Sequence, residues 1–255
     1  MGDVTILDGG MGQELVARSG RPPQPLWSTQ VMLDMPGLVG EVHRAYRAAG
    51  ANVATTNTYA IHRDRLRGGS SNHYAEDGLE MPDQEHRFTE FLDLALDEAE
   101  AVRGTSTIAG AIGPLGASYR SDLNPPFAEA VELYAEVARH LAPRVDVILY
   151  ETIASVEAAL ACLAAGLPTD RPVWLALTVD DEDGTLLRSG EPIADAVAQA
   201  TGAAALLVNC SAPEVIPEAL PALAEGGVPY GAYAYVFTQI TKVFLACGTT
   251  VAVLS

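Results

Sequence analysis

Short runs of β-branched and aliphatic residues alternate with longer amphipathic segments along the whole 255-residue chain. Stacked βα units around a parallel sheet give this pattern, because each strand needs a helix to carry the chain back and to cover its outer face. The runs at 4–8, 52–57, 107–112, 145–151, 173–179, 204–209, 229–233 and 250–254 read as strands. Segments 36–49, 83–102, 126–141, 156–165, 192–200 and 214–224 carry apolar residues at helical spacing. Ser155 before Val156, and Ser211 ahead of Pro213, supply helix-start signals.

The strands are nearly continuous hydrophobic runs, as strands buried on both faces should be. Eight of them with no edge left over describe an α/β chain folded as a (β/α)8 TIM-type barrel, one domain over residues 1–255. No linker rich in Pro, Gly and Ser divides it. The last helix is missing, since the sequence stops directly after the eighth strand. The outer face of that strand then calls for cover by another chain, a homo-oligomer, or stays an apolar patch. An open doubly wound sheet is the rival, but Asp8-Gly9-Gly10-Met11-Gly12 follows its strand without the G-x-G-x-x-G spacing that a dinucleotide site requires.

Hydrophobic residues at 49% and charged residues at 19% supply a large core and exclude a disordered chain. A formal charge of -18 repels phosphates and anionic membrane faces, so neither nucleic acid nor a membrane is an expected partner. No apolar run approaches the roughly 20 residues that span a bilayer, and the N-terminus reads as a strand rather than a cationic leader. A cytoplasmic protein is expected. Three cysteines, Cys162, Cys210 and Cys247, are too few and odd in number for a disulfide framework and read as thiols.

In barrels of this type the working groups sit at the C-terminal ends of the strands. Asp8 ends the first strand, Asn57 the second, Glu151 the fourth, and Asn209 with Cys210 the sixth, while Gly113-Pro114-Leu115-Gly116 follows the third. Asp8 reads equally as a turn-former before two glycines. Asn57 reads equally as a loop-holding residue. Glu151 is the most telling, because a carboxylate at the rim of an apolar strand needs a partner. Cys210 ends an ordinary strand, where a small buried hydrophobe is the plainer reading, and core packing accounts for Cys162 and Cys247. His43, His62, His73, His86 and His140 have no ligand spacing. A lyase or aldolase barrel would need a catalytic lysine, and the sole lysine, Lys242, falls in a helical segment.

Read together and in order, six segments resemble the homocysteine S-methyltransferase family. They are Leu7-Asp8-Gly9-Gly10-Met11-Gly12, Ala51 to Tyr59, Ala109-Gly110-Ala111-Ile112-Gly113-Pro114, Tyr150-Glu151-Thr152-Ile153, Arg188-Ser189-Gly190-Glu191-Pro192 and Val208-Asn209-Cys210-Ser211. The resemblance implies a (β/α)8 barrel that binds zinc through three cysteines, one after the sixth strand and an adjacent pair after the eighth. It implies homocysteine as the substrate, its sulfur the fourth zinc ligand, methylated by a small donor such as S-methylmethionine to give methionine. Cys210 matches the first zinc cysteine. Asp8 and Glu151 match the carboxylates that hold the substrate amino group, with Gly9, Gly10, Asn57 and Asn209 as further substrate-binding positions.

The adjacent cysteine pair is absent. Either Cys247-Gly248-Thr249-Thr250 supplies one member, with Ala246 in place of its neighbour, or residues 248–255 form the eighth strand and the sequence stops where the pair should begin. The second match is preferred, because Thr250-Val251-Ala252-Val253-Leu254 reads as a strand. Ala234-Tyr235-Val236 also stands where relatives commonly have Ala-Asn-Gly. The alternative function is therefore a non-catalytic barrel relative that binds an amino acid without zinc.

Overall fold

The computed structural model describes residues 4–22, 24–67, 83–235 and 252–254. In chain order the elements are β1 (Thr5–Leu7), α1 (Met11–Ser19), α2 (Trp27–Asp34), α3 (Leu38–Ala48), β2 (Val53–Thr55), α4 (Arg63–Leu66) and α5 (Phe88–Ala101). They continue with β3 (Thr107–Ile112), α6 (Phe127–Leu141), β4 (Val147–Ile153), α7 (Val156–Gly166), β5 (Val173–Leu177), α8 (Ile193–Gln199), β6 (Ala205–Asn209), α9 (Ile216–Ala224), β7 (Tyr230–Tyr233) and β8 (Ala252–Leu254). Every expected strand and helix has a counterpart. Helices α1, α2 and α4 were not foreseen.

The strands form one sheet in the order β1-β8-β7-β6-β5-β4-β3-β2. From β2 to β7 all neighbouring strands are parallel. Strand β8 departs from the expected eight parallel strands: it runs antiparallel to both β7 and β1, with Val253 opposite Ile6 and Ala232. Backbone ladders accept either direction, and the end at which the connection re-enters the sheet decides between them. Here it re-enters at the end where β7 leaves off. The eighth unit is thus not a repeat of the others.

Side chains alternate across the pleat and are buried on both sides. Leu7, Val53, Ala109, Leu149, Ala176 and Leu207, from β1 through β6, pack together on one face with Tyr233 of β7. The intervening residues Ile108, Ile112, Ile148, Tyr150, Leu175, Leu206 and Val208 join the larger cluster beneath the helices. This explains the unbroken apolar runs in the sequence.

Ser155 caps α7 as expected, its side chain accepting from the Ala158 amide at 3.2 Å. Ser211 does not cap the next helix. That helix starts at Ile216 behind Val215, with Pro217 in its first turn. The Ser211 hydroxyl instead donates to the Asn209 carbonyl (2.9 Å) and accepts from the Val179 amide (2.9 Å), tying β6 to the end of β5.

Candidate active site

Asp8 leaves the end of β1 and turns onto β2. Its Oδ2 accepts from the Thr55 amide at 2.6 Å and its Oδ1 from the Thr55 hydroxyl. The carboxylate is buried, and desolvation pushes its pKa up to about 6 in spite of these bonds. His43 of α3 stands near it, with Nδ1 3.9 Å from Oδ2. Burial lowers the His43 pKa to about 4, so the ring is neutral at pH 7.

Glu151 lies where the β4–β5 register shifts, between Tyr150 and Ile153. Thr152, directly after it, has φ +60°, a left-handed backbone rare for a β-branched residue. Such irregularities re-aim side chains. The Tyr233 hydroxyl, from the end of β7, donates to Glu151 Oε2 at 2.8 Å. Burial pushes the Glu151 carboxyl up to about 7; the Tyr233 bond opposes this and the charge of Asp8 adds to it. The two carboxylates therefore sense one another. Among the described residues neither forms an ion pair with Arg or Lys.

Cys210 follows β6 with φ +47°. Its amide donates to the Tyr233 carbonyl (3.2 Å), and its own carbonyl receives the Thr178 hydroxyl (3.0 Å) and Arg188 Nη2 (3.4 Å). The thiol receives Asn209 Nδ2 at 3.4 Å. Burial pushes the thiol up to about 11, and the neighbouring Glu151 charge raises it further, while the hydroxyls of Thr152 and Tyr119 and the Arg188 cation lower it. Tyr119, with φ +67°, is a third residue in left-handed backbone at this thiol. The structure thus brings Cys210, Glu151 and Asp8 into one neighbourhood at the C-terminal ends of β6, β4 and β1.

Arg188 is held by Asp181 at 2.7 Å and stacks over the Tyr119 ring at 4.9 Å. Asp181 also receives the Tyr235 hydroxyl. Glu191, from the same motif, accepts from the Val156 amide (3.0 Å) and the Ser189 hydroxyl (2.6 Å), securing the first turn of α7. Beside it, a cleft of about 420 Å³ opens among Ser121, Asn124, Phe127, Ser155, Glu157 and Ser189, in the loops that follow β3, β4 and β5.

The other expected positions have plainer surroundings. Asn57 is buried, and its Nδ2 donates to the Ser28 carbonyl of α2 at 3.2 Å, the loop-holding alternative. Asn209 binds Thr152 rather than facing open space. A side chain on Gly9 would meet the Tyr46 ring at 2.8 Å, whereas Gly10 is open. Cys162 is fully buried on the inner face of α7. Cys247 and Lys242 lie outside the described residues. Sequence reasoning missed Tyr233, Thr152, Tyr119 and His43. Of these, only Tyr233, a polar residue at a strand end, carried the signal used for the rest.

A zinc ion needs three or four protein donors. Among the described residues no group of three His, Cys, Asp or Glu could hold a metal, and Cys210 is a single sulfur. By themselves these residues do not fit the ion. No helix among them is long and apolar enough to cross a membrane.

Residues 5–243 match the homocysteine S-methyltransferase family. Homocysteine S-methyltransferase of Escherichia coli (strain K12) is 31% identical over 237 residues, covering 86% of this chain and 73% of the relative. Homocysteine S-methyltransferase 1 of Zea mays is 30% identical, covering 84% and 71%. The crystal structure of the homocysteine methyltransferase MmuM from Escherichia coli, in a metallated form, superposes with a TM-score of 0.70 at 28% identity, covering 91% of this chain and 83% of that one. By this match over most of its length and this identity, the chain belongs to the homocysteine S-methyltransferase family of enzymes.

Proposed function

We propose that this chain transfers a methyl group from a small donor, such as S-methylmethionine, to the sulfur of homocysteine, giving methionine, as a cytoplasmic one-domain barrel. The observation that carries the reading is the pair Asp8 and Glu151, two carboxylates in one neighbourhood with no arginine or lysine among the described residues to pair them. Carboxylates largely withdrawn from water without a cation are costly, and an α-ammonium group bound between them relieves that cost. Tyr233 fixes Glu151 from one side and Thr55 fixes Asp8 from the other, so the ammonium meets a preset pair. The sulfur–methyl bond forms as the donor's sulfonium–methyl bond breaks, and the homocysteine thiol gives up its proton to solvent. The donor leaves as a neutral thioether, which needs no general acid.

Closure of the sheet belongs to this reading. Its support is the Asn52 amide donating to the Ile6 carbonyl (2.7 Å) and the Ile6 amide donating to Asn52 Oδ1 (3.0 Å), which bridge the two outer strands of the order. Cys210 would supply one zinc thiolate, and no step is derived through the metal, since the described residues hold no further ligand. That single sulfur favours a second reading, an amino-acid-binding relative without turnover. A partner copy over β8 has no support among the described residues.

The test is methionine formation from homocysteine and S-methylmethionine, with calorimetry on homocysteine and measurement of bound zinc. Turnover supports the first reading. Binding without zinc or turnover establishes the second, and absence of homocysteine binding overturns both.

A further inference from the structure

His43 is the least satisfied polar group near the site. Its side chain is 1% exposed, and neither ring nitrogen has a hydrogen-bond partner. Buried polar atoms are rarely left in this state, because each gives up its bonds to water with nothing in return. Yet Nδ1 stands 3.9 Å from Asp8 Oδ2, short of a hydrogen bond by less than an ångström. That oxygen already accepts one bond, from the Thr55 amide, and a carboxylate oxygen has room for a second.

We propose that His43 is a positioning residue for Asp8: its neutral imidazole donates Nδ1–H to Oδ2 when an amino-acid substrate occupies the site, holding the carboxylate ionised and aimed at the substrate ammonium. The inference rests on the proposed role of Asp8. A neutral donor suits this place, because a lysine or arginine would neutralise Asp8 and compete with the ammonium. The charged and titratable groups around the pair are Glu151 beyond Asp8, and Glu14 and Arg18 of α1 beside Tyr46, whose hydroxyl also senses Asp8. Among the described residues none of them bonds to the imidazole.

Three substitutions separate this role from packing. In H43N the amide nitrogen replaces Nδ1; in H43Q it lies nearer Nε2; H43L fills space without a donor. Calorimetry with homocysteine should show H43N within about threefold of wild type, and H43L and H43Q weaker by about tenfold or more, the worth of a bond to a charged acceptor. Where turnover is measurable, the loss falls on KM and leaves kcat. Equal affinities in all three variants overturn the proposal. If the variants do not fold, 15N spectra of the wild-type imidazole decide: the Nδ1–H tautomer, shifting on addition of homocysteine, is expected, and an Nε2–H tautomer or an unmoved signal overturns it. D8N keeps the two failures apart. Intact homocysteine binding in D8N overturns the role of Asp8 itself, whereas lost binding in D8N with equal H43L, H43N and H43Q overturns only that of His43.

Discussion

Asn209 grips Thr152 twice: its Oδ1 accepts the Thr152 amide at 2.9 Å, and its Nδ2 lies 3.3 Å from the Thr152 hydroxyl. The same Nδ2 reaches the Cys210 thiol at 3.4 Å. One fully buried amide thus joins the end of β6 to the end of β4 and sets the thiol beside Glu151. Asn209→Ala leaves the Thr152 amide unpaired in left-handed backbone and opens a void. A loss of about 2–4 kcal/mol in urea denaturation is expected, with weaker homocysteine binding. An unchanged midpoint would show that the β4 irregularity stands without this link.

Gly9 stands in the family-like motif, but its surroundings argue packing. A Cβ there would lie 2.8 Å from Cε1 and the hydroxyl oxygen of Tyr46, an aromatic ring held against the turn. Gly9→Ala should cost about 1–3 kcal/mol through displacement of that ring. Tyr46→Leu clears the space, so the double variant should be more stable than the sum of the single losses predicts. Additive losses, measured by thermal unfolding, would point instead to the backbone of the turn.

Strands β2 to β6 were legible because each is buried on two faces and leaves an apolar run, and several of the runs in the chain are closed by a polar residue. Asp8, Glu151 and Cys210 were found by that mark. Asn57 and Asn209 bear it too, though their amides are spent on Ser28 and Thr152. Helix α1 was hidden because Asp8 before Gly9 and Gly10 read as a turn; Gly12, inside the helix, is needed where the Trp27 ring crosses it. The direction of β8 was illegible, since alternation of side chains is the same either way along a strand. His43 sits on the buried face of an amphipathic helix, where a histidine looks like core until its distance to Asp8 is known. Ser211 resembled a cap because serine before proline opens many helices, and only the pairing with Val179 shows its other use.

Glu151 makes the site costly to keep. Its pKa rises from 4.5 to about 7 on burial, so the folded state binds a proton more tightly than the unfolded chain. Between these values stability falls as pH rises, and above pH 7 the whole penalty is present. At about 1.4 kcal/mol per pH unit its ceiling is about 3 kcal/mol, reduced by partial exposure of the side chain. Glu151→Gln keeps an acceptor for Tyr233 without the charge. The variant should be more stable than wild type at pH 7.5, and the gain should vanish near pH 4.5. The comparison must be made against wild type at each pH, because His43 and His62, both lowered to about 4, act in the opposite sense below pH 6.5. A pH-independent difference between the two melting curves would remove the charge from the account.

Cys210 gives the remaining prediction. Burial holds its thiol up at about 11, so in the metal-free chain it is protonated at pH 8 despite two hydroxyl donors and Arg188 nearby. Only the thiolate reacts with iodoacetamide, so modification at pH 8 should run about a hundredfold slower than for a free cysteine. The rate is read by mass spectrometry of the Cys210 peptide in a Cys247→Ser background. Arg188→Met removes a cation that lowers the thiol and also a donor to the Cys210 carbonyl. It should slow the reaction further at pH 9 while leaving Asp181 without its charge partner, at a cost of about 3–5 kcal/mol. Fast alkylation of Cys210 at pH 8 would mean that the thiol is already ionised, and that its surroundings are more electropositive than Asp8 and Glu151 allow.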